Sequence, residues 1–175
     1  MPFRTRKAAD ESSLYEYALS ALGRKMRSVA ELKRLLRARV VADESGEAMV
    51  ESVVARLKEH GYLNDTAYAA AYSTYRKENE KFGRRRVITD LKARGVHREV
   101  IDKAVADAYS GTNEEQLARA FLRRKNLKKP ANGKQAARIF RALMRAGFSG
   151  GTAMRILKKW DVDEELLAAL EAEGE

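Results

Sequence analysis

Apolar side chains recur along this chain at three- and four-residue spacings, in short stripes separated by serine, asparagine and glycine breaks. Such spacing places them on one face of a helix, and the breaks carry the chemistry that starts and stops helices. Ser13 with Glu16 and Ser28 with Glu31 fit the capping box, in which two side chains satisfy orphan backbone N–H groups. Leu32, Leu35 and Leu36 form the stripe of a helix opened by Ser28. Val50, Val53, Val54 and Leu57 form the next, which ends at Gly61, a residue that readily takes the left-handed conformation. Three helices are therefore predicted before residue 62.

The plan then repeats. Asn64 or Asp65 can cap a helix carrying Tyr68, Tyr72 and Tyr75; with Tyr62 these could stack on the bases of a single strand, but their placement more simply describes a buried stripe. Gly83 opens a helix with Val87, Ile88 and Leu91 that stops at Gly95, and a third carries Val100, Ile101, Ala104 and Val105. After Gly111, Asn113 can cap a helix with Leu117, Ala118, Phe121 and Leu122. Pro130–Gly133 breaks the chain before Ile139, Phe140, Leu143 and Met144, and Gly147 ends that helix. A last stripe comprises Met154, Ile156, Leu157 and Trp160.

Leu91/Gly95/Val96 and Leu143/Gly147/Phe148 share one pattern at the middle helix of successive triplets, and Leu36/Val40/Val41 stands in the corresponding first position. The predicted fold is all-α, with three tandem three-helix repeats at 13–62, 63–111 and 112–160 and an acidic tail at 161–175. Units this small bury little alone and stack on neighbours, so an elongated, curved molecule is expected.

Composition agrees with helix: Ala, Leu, Arg, Lys and Glu dominate, and Pro2 and Pro130 are the two prolines. The absence of cysteine excludes disulfides and thiolate metal sites. Arg4, Arg6 and Lys7 are not followed by an apolar run, and no segment is apolar enough to span a membrane. A cytoplasmic protein without a membrane partner is expected, and a monomer.

Charge is distributed unevenly. Residues 1–115 hold 22 basic and 18 acidic side chains, whereas residues 117–160 hold 13 basic ones and no Asp or Glu. Residues 161–175 hold seven acidic side chains and no basic one. A folded stretch without carboxylates is an electrostatic footprint for phosphate or for an acidic protein surface.

The residues of the central segment resemble those of a known family. Ala18-Leu19, Arg27-Ser28 and Glu31-Leu32 resemble the opening of the RecX family, regulators of the RecA recombinase. Gly61-Tyr62-Leu63-Asn64-Asp65, with Ala69, Tyr72 and Arg76, resembles its central signature, and Gly83-Arg84-Arg85-Arg86 with Leu91 and Gly95 continues it. Gly147-Phe148-Ser149 resembles its last turn. The resemblance spans roughly residues 14–160. It implies three tandem repeats that bind in the groove of the RecA–DNA filament and lower RecA's ATPase, strand-exchange and co-protease activities in recombination and DNA repair.

Arg84, Arg85 and Arg86 fall in the first turn of a predicted helix, where cations oppose the helix dipole, so a compensating anionic contact is expected. Arg94 flanks the other end of that helix. Arg124 and Lys125 belong to a basic run on the next unit, and Arg138, Arg141 and Arg145 recur at helical spacing. The predicted contact residues are Arg84, Arg85, Arg86, Arg94, Arg124, Lys125, Arg138 and Arg141. Arginine suits phosphate and carboxylate alike, so single- or double-stranded DNA, held weakly and salt-dependently, and the RecA filament are both expected partners. His60 and His97 are isolated, and no nucleophile–base pair, metal-ligand cluster or phosphate-binding glycine loop appears, so neither catalysis nor a cofactor is expected. A free-standing helix-turn-helix DNA-binding protein is the alternative. The acidic tail can pack on the last repeat or lie against its basic surface and compete with an anionic partner.

Overall fold

The computed structural model describes residues 10–173, which form ten helices and no strand. The all-α expectation is met. The chain divides into two compact units. One runs through Tyr68 and includes Lys92–Val100, and the other comprises Ala69–Leu91 and the chain from Ile101 onward.

The first unit is built on α1 (Glu11–Arg24), α2 (Val29–Arg37) and α3 (Glu44–Glu59). Leu14, Ala18, Leu32, Leu36, Val50, Val53 and Leu57 are fully buried between them. The Ser28–Glu31 capping box forms as predicted. At α1, however, the cap is Asp10, whose carboxylate accepts from the Ser13 amide at 2.8 Å, so Ser13 lies inside the helix. A carboxylate three residues upstream displaces the serine because the helix dipole favours a negative charge there. Helix α3 ends in a Schellman turn: Gly61 has φ +74°, the Tyr62 amide donates to the Leu57 carbonyl and the Gly61 amide to that of Lys58.

In the same unit Asn64 caps α4 (Asp65–Glu78), accepting from the Ala67 amide, while Asp65 accepts from the Val29 amide at 2.8 Å and so serves the start of α2. The Ser28 hydroxyl donates to the Arg94 carbonyl at 2.6 Å. This ties the start of α2 to the end of α5 (Arg84–Ala93), and Gly95 sits so close that a Cβ there would meet Ala30 at 2.5 Å.

The second unit holds α6 (Arg98–Ala108) from Ile101 onward, α7 (Glu114–Arg124), α8 (Gly133–Arg145), α9 (Gly150–Lys158) and α10 (Glu164–Glu173). Phe121, Leu122, Ile139, Phe140, Leu143, Phe148, Ile156 and Leu157 form its core. Helix α10 inserts Leu167 and Leu170 into that core, so the described part of the acidic segment packs rather than trails. The start of α5 meets the end of α8: the Gly83 amide donates to the Ala146 carbonyl at 2.8 Å and the Arg85 amide to that of Gly147 at 3.2 Å. The glycine turn that ends α5 thus docks on the start of α2 in the first unit, and the one that ends α8 docks on the start of α5 in the second.

Not every aromatic expected in the core is there. Tyr68 is buried at 5 % exposure, but Tyr62 and Tyr75 are 60 % and 54 % exposed. Tyr62 follows the glycine turn and Tyr75 lies on the outer face of α4, so a stripe drawn through all four overstates the buried arc.

Candidate functional site

The arginine turn of α5 is built differently from what the dipole argument expects. Its orphan amides point at the carbonyls that close α8, so the positive end of α5 meets the negative end of α8. The compensation predicted from an anionic partner is supplied within the fold. Arg84, Arg85 and Arg86 are all exposed. Arg86 donates to Asp90 at 3.0 Å and approaches the Arg145 carbonyl at 3.5 Å. Asp90 also accepts from Arg76 at 2.9 Å and from the Tyr72 hydroxyl at 3.0 Å. Burial pulls the Arg76 pKa down, but the hydrogen bond to Asp90 and its charge outweigh this, and Arg76 stays above its ordinary value. The Arg76 and Arg86 guanidiniums lie 4.8 and 5.7 Å from the Phe82 ring centroid.

Two of the predicted contact residues act as ties. Arg94, in the first unit, pairs with Glu31 at 2.6 Å and its side chain is 27 % exposed. Arg124 donates to the Asn79 carbonyl at 2.7 Å and pairs with Glu80 at 3.3 Å, fastening the end of α7 to the loop before α5. Both sit where a long-range carboxylate waits, which no local pattern reveals.

Three of the predicted residues, Arg86, Lys125 and Arg138, come together in the second unit around a groove of about 410 Å³. Arg145 completes its cationic rim; helical spacing marks it only as a member of the basic row on α8. Phe82, Phe121 and Ala142 contribute to an apolar floor, and no Asp or Glu lines the groove among the described residues. Lys125 is presented by the C-terminal turn of α7, held by the hydrogen bond its backbone N–H donates to the Phe121 carbonyl. Arg138 and Arg145 lie two turns apart on one edge of α8, and Arg141 is exposed on the same helix without lining the groove. Phe82 and Ala142 escape a reading of the sequence because a loop aromatic and a helical alanine carry no binding signature by themselves.

A second constellation joins α7 to α9. Glu114 accepts from the Ser149 amide at 2.9 Å, the Ser149 hydroxyl at 2.7 Å and the Thr152 hydroxyl. Burial pushes its carboxyl up, but these donors, with the Arg85 charge, outweigh burial and hold it below the ordinary carboxylate value. Glu115 pairs with Arg119 at 3.0 Å and Lys159 at 2.8 Å. Both glutamates occupy the first turn of α7, where negative charge suits the helix dipole, and both also fix α9 or the turn after it. No helix of the described residues is long and apolar enough to cross a membrane.

Residues 64–105 match the family model described as RecX, second three-helix domain. The chain is 35 % identical over 169 residues to "Regulatory protein RecX" of Myxococcus xanthus, with 89 % of each chain covered. It is 36 % identical over 154 residues to a protein of that name from Thermus thermophilus, covering 88 % of this chain and 94 % of the relative. The crystal structure of RecX from Lactobacillus salivarius superposes with a TM-score of 0.64 at 20 % identity, covering 86 % of this chain and 96 % of that one. Likeness at that identity speaks to the fold, while the sequence matches speak to descent. The capped helices, the glycine turns and these matches over nearly the whole chain agree: the chain belongs to the RecX family of regulatory proteins.

Proposed function

We infer that this chain binds the RecA–DNA nucleoprotein filament and lowers its ATPase, recombinase and co-protease activities, acting in the cytoplasm as a monomer and not as an enzyme. Family membership supports the partner. The observation that carries the reading to particular residues is the exposed, carboxylate-free basic edge of α8 facing Lys125 and Arg86 across the groove. Arg84, Arg85 and Arg141 extend this surface, whereas Arg124 ties the end of α7 to Asn79 and Glu80 and Arg94 is paired with Glu31 in the first unit. Three tandem repeats, 13–62, 63–111 and 112–160, are the proposed building blocks, supported by the recurrence of the middle-helix docking contact.

A basic molecule bridging neighbouring filament protomers obstructs the interface motions that ATP turnover needs. Contact with filament DNA adds a contribution that weakens with salt, falling by orders of magnitude if about six to ten phosphates are engaged. The test is ATP hydrolysis by RecA on single-stranded DNA with this chain added at substoichiometric ratios. Inhibition is expected; an unchanged rate at every ratio overturns the reading. A strong consensus in duplex-sequence selection would instead identify a free-standing helix-turn-helix DNA-binding protein.

A further inference from the structure

We propose that the groove between α7 and α8 in the second unit is a docking site for an acidic peptide segment of a protein partner, one that offers an apolar side chain flanked by carboxylates. Four cations define the rim: Arg86, Lys125, Arg138 and Arg145. Between them lie the apolar side chains of Phe82, Phe121 and Ala142, with Leu127 and Ala146 beside them. A phosphodiester chain would use the rim and leave the floor empty. A nucleobase would stack on an aromatic face, and both rings of this groove already have partners. Arg76 and Arg86 lie over the Phe82 ring, and Phe121 is buried at 5 % exposure, tilted against Phe82 and Phe148 with centroids 6.2 and 5.9 Å away.

A peptide bearing one large apolar residue fills such a floor, while its carboxylates reach the guanidinium forks and the lysine. The groove volume of about 410 Å³ accommodates one such side chain with its flanking backbone. No acidic side chain lines the groove among the described residues, and although Arg86 is already paired with Asp90, Lys125, Arg138 and Arg145 present positive charge to a carboxylate partner. This deepens the proposed function and rests on it for the claim that the partner is a protein. Its test uses no recombinase, so either reading can fail alone.

The probe is a fluorescein-labelled nonapeptide with a central phenylalanine flanked by glutamates, compared with the same peptide carrying serine at the centre and with an oligothymidylate of equal charge. Anisotropy should show the phenylalanine peptide binding about tenfold more tightly than the serine peptide. Arg138→Glu, at an exposed position, should weaken the phenylalanine peptide about tenfold or more. Ala142→Phe, which fills the floor, should remove the advantage of phenylalanine over serine, with thermal unfolding confirming that both variants fold. Equal binding of the two peptides to the unaltered chain overturns the proposal, and so does absence of binding. An oligothymidylate that binds as tightly as the phenylalanine peptide, and loses affinity on Ala142→Phe, makes the groove a nucleic-acid site and overturns it too.

Discussion

Replacing Gly147 by alanine tests how α5 is held in the second unit. The residue has φ +88°, and a Cβ there would meet the Arg86 amide nitrogen at 2.1 Å and the Arg86 Cα at 2.8 Å. Backbone atoms cannot swing aside as a flexible side chain can, so the start of α5 must retreat from the end of α8. The left-handed conformation costs an alanine about 1–2 kcal/mol. Retreat also strains the hydrogen bonds from Gly83 to Ala146 and from Arg85 to Gly147, each contributing about 1 kcal/mol. The sum is roughly 3–4 kcal/mol.

Gly111 supplies the control, since it has φ +65° and nothing lies within 4 Å of the place a Cβ would take. Gly111→Ala should therefore cost only the conformational share, about 1–2 kcal/mol. Urea unfolding followed by fluorescence of Trp160, the single tryptophan, reads the second unit, because that ring packs against its core. Equal losses for the two variants would refute the reasoning, because they would remove the close approach as a cause.

Ser28→Ala should destabilise the first unit by about 1–2 kcal/mol, since it deletes a helix cap and orphans the Arg94 carbonyl; a far-UV dichroism urea curve within about 0.3 kcal/mol of the parent would contradict this. Glu114 is depressed in the folded state and titrates near its ordinary value of about 4.3 when unfolded, so its contribution is fully present above that value and lost as pH falls through the folded pKa. Glu114→Gln should thus flatten the decline of the urea midpoint between about pH 5 and pH 3, and an unchanged acid limb would argue against it. Arg124→Ala should loosen the loop at Asn79 and Glu80, seen as faster amide exchange there, whereas Arg141→Ala should leave that exchange as it is.

Local chemistry makes the helices legible. Ser28, Asn113 and Gly147 act through neighbours three or four residues away, and the apolar spacing of α3 and α8 marks one buried face each. The same logic fails at Ser13, because the carboxylate of Asp10 takes the cap three residues earlier. It fails again at Tyr62 and Tyr75, because an aromatic ring at helical spacing does not by itself decide burial. The candidate surface is legible as charge but not as shape. Arg138 and Lys125 can be named from the basic run, yet the pairing of Arg94 with Glu31 and of Arg124 with Glu80 depends on folding. The partner that relieves the dipole conflict at Arg84–Arg86 is the end of α8, brought to Gly83 and Arg85 from a distant part of the chain by the tertiary fold.

The proposed function requires this chain to recognise a RecA filament rather than bare DNA. The most direct measurement is the affinity of the labelled protein for a preassembled RecA filament on single-stranded DNA, set against the same DNA alone at equal salt. The filament should be bound at least about tenfold more tightly, a difference of roughly 1.4 kcal/mol or more, and Arg138→Glu should narrow the gap. Equal affinity for filament and bare DNA would contradict the claim.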